Sequence, residues 1–211
     1  MGTVNICETF VSIQGESTYA GLSCFFIRLA GCNLRCRYCD TTYAYTPGLD
    51  APIEDLVSEC RANRTAIVEI TGGEPLLQPG FRELATALRD RGGKPVLVET
   101  NGSLDISAIP AGVIAVMDVK CPASGESEAM DPGNVGRLRP QDEVKFVLSD
   151  RKDYEWAREF VKRHTLPSRC HAVLFSPVFG ALTAKDLGQW IMEDGLSVRR
   201  QIQLHKVLGV K

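Results

Sequence analysis

The chain has 211 residues, 44% of them apolar and 24% charged, the composition of an ordinary globular domain with a full core. A formal net charge of -2 leaves no basic surplus for nucleic acid, and the Arg35/Arg37 pair is too small to supply one. No apolar run approaches the roughly 20 residues of a membrane span, and Met1 to Glu8 has neither the basic start nor the apolar core of a signal peptide. One domain over residues 1–211, cytoplasmic and with neither nucleic acid nor membrane as partner, is the expectation.

Phe25 to Leu29 reads as a strand that runs into a cysteine-rich loop. Pro52 to Arg61 reads as a helix with proline in its first turn, and Ala66 to Ile70 as a short buried strand. Gly80 to Asp90 is a helix closed by Gly92-Gly93, followed by strands over Pro95 to Glu99 and Val113 to Val119. Cys121 to Pro140, rich in Gly, Pro, Ser and Glu, is a long loop within the domain. Val144 to Leu148 is a strand and Asp153 to Lys162 a helix; Ala172 to Phe175 and Ala184 to Glu193 repeat the pair, and Val198 to Gln203 is a last strand. This alternation predicts an α/β fold with a parallel sheet, and about six repeating strands make it an open, partial β/α barrel rather than a closed one.

Ligands of such folds gather at the carboxyl ends of the strands. There the chain places Thr71-Gly72-Gly73-Glu74, Thr100-Asn101-Gly102, Asp118-Val119-Lys120 and Ser176-Pro177. One face thus collects the polar and glycine-rich positions, although turns favour the same residue types.

Of eight cysteines, Cys7, Cys24, Cys60, Cys121 and Cys170 are scattered, and each is expected as a small buried hydrophobe. Cys32, Cys36 and Cys39 are not scattered. Their C-x3-C-x2-C spacing lets three thiolates converge if the loop wraps round one centre, and soft thiolates select zinc or iron–sulfur clusters. A structural zinc site wants four ligands, which would require Cys24 or Cys121 to join. Three cysteines on a four-iron cluster would leave one iron open to a small molecule. Three unrelated core cysteines are the remaining reading.

The spacing resembles that of the radical S-adenosylmethionine superfamily, and Gly72-Gly73-Glu74-Pro75 resembles its GGEP motif. The resemblance implies a [4Fe–4S] cluster on Cys32, Cys36 and Cys39 with S-adenosylmethionine on the open iron. It also implies cofactor contacts from Arg37, Tyr38 and Cys39, from Gly73 and Glu74, from Asp118, Val119 and Lys120, and from Ser176, Pro177, Val178 and Phe179.

Further residues narrow it. Ser12-Ile13-Gln14-Gly15-Glu16-Ser17, Arg28, Asp40-Thr41, Glu99-Thr100-Asn101-Gly102 and Gln203-Leu204-His205-Lys206, in this order, resemble the 7-carboxy-7-deazaguanine synthase family from about residue 6 onward. The resemblance implies a lyase that turns 6-carboxy-5,6,7,8-tetrahydropterin into 7-carboxy-7-deazaguanine with loss of ammonia, in queuosine biosynthesis. It further implies substrate contacts from Ile13, Gln14, Gly15, Glu16, Arg28, Thr71, Glu99, His205 and Lys211. A magnesium ion at Thr41, a homodimer and a flavodoxin- or ferredoxin-type electron donor complete what it implies. Arginine suits a carboxylate, and Gln with Glu can read the donor and acceptor edge of a pterin. The chain departs from the family pattern at Ser17, where glycine is usual, and at Asp118, Ser176 and Lys211. A glycyl-radical-enzyme activase and a non-catalytic zinc-binding module are the alternatives.

Overall fold

Alternation along each strand decides which side chains meet the helices and which face the opposite side of the sheet. The computed structural model describes residues 2–211; Met1, at the head of the segment tested for a signal peptide, lies outside them. Among the described residues nine strands form one sheet. They are β1 (Thr3–Ile13), β2 (Ser23–Leu29), β3 (Leu49–Pro52), β4 (Ile67–Gly72), β5 (Val96–Thr100), β6 (Ile114–Asp118), β7 (Glu143–Leu148), β8 (Ala172–Pro177) and β9 (Arg199–Arg200). Their order is β3-β1-β2-β4-β5-β6-β7-β8-β9. From β2 onward each neighbour is parallel, while β1 pairs antiparallel with both β2 and β3. The sheet does not close on itself, as expected of a partial barrel.

The helices are α1 (Ile53–Ala62), α2 (Phe81–Arg91), the short α3 (Asn134–Arg137), α4 (Arg151–Arg163), α5 (Ala184–Glu193) and α6 (Leu204–Leu208). Helix α4 starts two residues earlier than the apolar pattern suggests, because the Asp150 carboxylate caps it by accepting the Asp153 N–H at 2.9 Å. The Thr183 hydroxyl does the same for α5 through the Asp186 N–H. No helix among the described residues is long and apolar enough to cross a membrane.

Three elements differ from the sequence reading. β1 and β3 were not anticipated: β1 mixes charged and apolar residues without clean alternation because both its edges are paired and neither face is fully covered. The last strand shrinks from Val198–Gln203 to Arg199–Arg200, and His205 lies on α6. The stretch Cys121 to Pro140 is a loop broken by two 3-10 turns and α3.

Phe25, Ile27, Val68, Ile70, Val98, Met117, Phe146 and Phe175 point one way, into the main core beneath Leu56, Leu84, Leu88, Tyr154 and Leu187 of the helices. Phe146 meets Phe175 edge-on at 5.3 Å, and the buried Tyr154 hydroxyl donates to the Trp190 carbonyl at 2.8 Å. Cys24, Phe26, Ile67, Leu97 and Val116 point the other way and form a small apolar layer with Phe10 and Tyr19. One step along each strand, on that same inner face, the apolar residues give way to Arg28, Glu69, Thr71, Glu99, Asp118 and Lys145. Of the scattered cysteines, Cys24, Cys60, Cys121 and Cys170 are buried as expected, while Cys7 is half-buried.

Candidate active site

The charged inner row lines a cavity of about 560 Å³. Its upper end is the cysteine loop. Cys32, Cys36 and Cys39 all line it and are half-buried, and the lining holds no fourth cysteine. Cys24 and Cys121 are fully buried elsewhere, so neither joins them. The Gly72-Gly73 turn docks against this loop: the Gly73 N–H reaches the Leu29 carbonyl at 3.1 Å and the Glu74 N–H the Gly31 carbonyl at 2.7 Å. A Cβ on Gly73 would lie 2.1 Å from that Gly31 oxygen and 2.9 Å from Cys32 Cβ, so only glycine permits the approach. The Asn101 side-chain amide points at Cys32 Sγ from 3.9 Å, and Tyr45 lines the cavity beside the thiols.

Among the described residues no three His, Cys, Asp or Glu side chains are gathered for a single metal ion. Three thiols facing one cavity, with an amide donor beside them, form a donor set that fits a thiolate-held iron–sulfur cluster with one protein-free iron. Further down the wall, Asp118 Oδ1 is the one buried side-chain oxygen or nitrogen among the described residues without a hydrogen-bond partner. Its other oxygen takes Lys120 Nζ at 2.7 Å. An orphan acceptor in the wall fits a ligand that brings its own donor, as a ribose hydroxyl does.

Four residues expected at a cofactor are not in the lining. Glu74, Val119 and Ser176 are buried behind the wall, and Arg37 is exposed beside it. Glu74 is fully enclosed and already accepts the Leu76 N–H, the Thr100 hydroxyl and the Asn101 N–H at 3.0, 2.8 and 2.6 Å. It thereby ties the glycine turn to the end of β5. Tyr38, Gly73, Asp118, Lys120, Pro177, Val178 and Phe179 do line the cavity, and Phe179 is largely exposed at its rim.

All nine residues expected at a substrate line the same cavity: Ile13, Gln14, Gly15, Glu16, Arg28, Thr71, Glu99, His205 and Lys211. The segment after β1 closes the cavity floor. It is held there by the Ser17 N–H on the Gln201 side chain at 2.7 Å and the Thr18 N–H on Glu143 at 3.1 Å. Ser17 adopts φ 63°, the left-handed region, which explains why glycine suits this position and costs the serine about 1–2 kcal/mol. The open flank of the sheet is covered by residues 203–211. Here the Leu204 N–H bonds the Gly15 carbonyl at 2.9 Å, Lys206 pairs with Asp40 at 2.7 Å, and Lys211 pairs with Glu8. A Cβ on Gly15 would sit 1.9 Å from His205 Nδ1, so α6 can cross only over glycine.

The electrostatic centre is Lys145, which sequence reasoning missed. Its Nζ bonds Glu16 Oε2 at 2.6 Å and Glu99 Oε1, and lies 4.0 Å from Asp118. Burial alone would push this ammonium down, but Glu16, Glu99 and Asp118 hold it well above the ordinary lysine value. Glu69 is the opposite case: burial, reinforced by Glu99, pushes its carboxyl well up despite Lys145. Its partner is the Gln14 side-chain amide. The signal for both was a charged residue inside an apolar strand, Val144-Lys145-Phe146 and Val68-Glu69-Ile70.

Arg28 lies under Phe10 and Tyr43 at 5.6 and 5.9 Å, with its Nε on Glu8 at 3.1 Å. Thr41 donates its hydroxyl to Asp40 at 3.1 Å. For Asp40, burial pushes the carboxyl up, but the Lys206 ammonium outweighs it and keeps the group below its usual value.

Comparison with known proteins bears on this arrangement. The sequence model of the Radical SAM superfamily matches residues 26–114, the span from β2 through the cysteine loop and the glycine turn. A 7-carboxy-7-deazaguanine synthase of Koribacter versatilis is 42% identical over 97% of this chain and 96% of its own length. One of Chlorobaculum tepidum is 43% identical over 97% and 94%. The crystal structure of QueE from Escherichia coli superposes with a TM-score of 0.77 over 96% of this chain and 95% of that one, at 21% identity, and so shares the fold.

Proposed function

Because the chain belongs to the 7-carboxy-7-deazaguanine synthase family of the radical S-adenosylmethionine superfamily, we propose that its cavity takes 6-carboxy-5,6,7,8-tetrahydropterin and releases 7-carboxy-7-deazaguanine and ammonia. It is a radical S-adenosylmethionine lyase of queuosine biosynthesis, which removes the activase and zinc-module readings. One observation carries the assignment of roles: a single cavity is lined both by the three thiols and by Gln14, Glu16, Arg28, Thr71 and Glu99.

The family carries a [4Fe–4S] cluster and S-adenosylmethionine. Cys32, Cys36 and Cys39 would hold the cluster; with the cofactor bound, it supplies hydrogen-atom abstraction in the cavity. Tyr38 offers a flat face to an adenine, and the unpartnered Asp118 Oδ1 accepts a ribose hydroxyl. Glu74, with both oxygens engaged by Leu76, Thr100 and Asn101, shapes the cofactor's seat from behind the wall.

On the substrate side, Arg28 uses only Nε on Glu8, which leaves its terminal nitrogens for a bidentate grip on the substrate carboxylate. Gln14, Glu16 and Glu99 read the pterin edge, with the Thr71 hydroxyl on Glu99 at 3.1 Å fixing the latter. His205, Lys211 and α6 cover the flank and exclude water. A magnesium ion fits the oxygens of Thr41 and Asp40, where Lys206 supplies a positive charge in this structure. The exposed Arg35 and Arg37 beside the cysteines suit an acidic one-electron donor such as a flavodoxin or ferredoxin. The exposed Leu49 and Val11 on the β1/β3 edge suit a homodimer contact, and the whole enzyme works in the cytoplasm.

The test is turnover. Anaerobically reconstituted protein given a reductant, S-adenosylmethionine and the carboxypterin yields the deazaguanine acid. An intact cluster with no product from the pterin refutes the reading.

A further inference from the structure

Among the described residues Lys145 is the one buried cation that touches two of the carboxylates assigned to the substrate, and it stands outside every motif that identified the site. Apart from Glu143 at its start, which takes the Thr18 N–H, strand β7 is apolar around it: Val144, Phe146 and Leu148 face the helix-side core, and Val147 follows on the inner face. A buried ammonium in such a strand is held only by what surrounds it.

The surroundings are specific. Glu16 arrives from the segment after β1, Glu99 from β5 and Asp118 from β6, and they converge on one nitrogen. Glu16 spends its oxygens on Lys145, on Gln203 at 2.8 Å and on Gln201 at 3.3 Å, and Glu99 on Lys145 and Thr71. Each carboxylate keeps acceptor capacity toward the cavity it lines. Without the ammonium between them, two like charges from different elements would repel and turn apart.

We propose that Lys145 is the positioning residue of the substrate site, fixing Glu16 and Glu99 as paired acceptors for the adjacent N–H donors of a cyclic guanidine edge. This rests on the pterin reading given above. A cyclic guanidine, such as the aminopyrimidinone half of a pterin, presents two N–H groups side by side, and a pair of preset carboxylates matches them. Lys145 makes no contact with substrate in this scheme.

The charge state of Glu16 gives a readout that a merely structural lysine would not. Burial pushes the Glu16 carboxyl up, and Lys145, with help from Gln203 and His205, brings it below its ordinary value. Other charged groups also face the pair: Glu69 from β4, Arg28 from β2, Lys120 after β6 and Asp40 from the cysteine loop. The Asp118 carboxylate, 4.0 Å from the same nitrogen, disfavours ionisation of Glu16 once the lysine is gone.

The experiment measures pterin affinity of the reconstituted protein from about pH 6 to pH 9 for wild type, Lys145→Met and Lys145→Arg, with iron content as the check on the cluster. Wild type and Lys145→Arg should bind with little pH dependence. With the ammonium gone, burial is free to push the Glu16 carboxyl up, so Lys145→Met should bind roughly tenfold more weakly at neutral pH and recover as pH rises. A Lys145→Met protein with wild-type affinity, or with a loss equal at every pH and shared by Lys145→Arg, overturns the proposal. Should Lys145→Met not fold, the wild-type profile decides: constant affinity down to pH 6 supports the preset pair, and a fall below pH 7 overturns it. Absence of pterin binding by wild type at every pH would instead overturn the substrate reading, and this inference with it.

Discussion

Arg28→Ala separates what the guanidinium does for the fold from what it does for the ligand. In the free protein its loss is cushioned. Glu8 keeps the Tyr43 hydroxyl at 2.9 Å and the Lys211 ammonium, so no carboxylate is left bare. The Arg28–Glu8 pair is partly buried, and the side chain also packs under Phe10 and Tyr43, which together put the stability cost at about 1 kcal/mol. With substrate bound the account differs, because the ligand's carboxylate would sit against an apolar hole with its charge unpaired. Truncating one partner of such a pair costs about 2–5 kcal/mol, which is roughly 30-fold to 4,000-fold in dissociation constant. Titration of the carboxypterin into reconstituted variant, beside a thermal melt and an iron assay, measures all three quantities. Iron content and melting should change little while affinity collapses. An Arg28→Ala protein that binds the pterin within about threefold of wild type, a difference under 1 kcal/mol, would refute the carboxylate assignment.

Cys36→Ala removes one of three thiolates, and iron content and brown colour after anaerobic reconstitution should fall to background, with product formation lost. Gly15→Ala drives a methyl into His205, so α6 must lift; amide exchange over residues 204–208 should accelerate and the Michaelis constant for the pterin should rise, with iron content intact. Glu69 is held protonated by burial and Glu99, so its carboxyl sits higher folded than unfolded. Its contribution to stability is present at low pH and is lost as pH rises through the folded value. Glu69→Gln, which keeps a neutral group beside Gln14, should therefore melt higher than wild type at pH 8.5 by a margin that shrinks toward pH 5.

The parallel strands were legible because their runs are apolar on both faces, and the cysteine and glycine-turn motifs were legible because their chemistry tolerates few other residues. Helix α4 was placed two residues short because its start is set by a capping aspartate outside the apolar pattern. β1 escaped because it owes its conformation to partners on both sides, Arg28 opposite Glu8 and Asp50 opposite Asn5, and such pairing leaves no period in the sequence. The sequence carries no helical signal at His205; the docking of Leu204 on Gly15 turns that segment into α6. Lys145 and Glu69 lay in plain view as charges in apolar strands, but their meaning depends on which strands neighbour them. That is fixed only when β5 and β6 bring Glu99 and Asp118 alongside.

The covering of the open flank also sets the order in which the molecule can be assembled. The cysteine loop rests on the glycine turn about forty residues further on, and the strands beneath add one neighbour at a time. The lower wall instead joins Glu16 to Gln203 across 187 positions, Ser12 to the Lys211 carbonyl across 199 and Lys211 to Glu8 across 203. Contacts so distant along the chain bear the largest loop-closure entropy and gain least from early local structure. The thiol end can therefore take shape while the flank still stands open, and the last segment closes over a chamber whose upper half is already built.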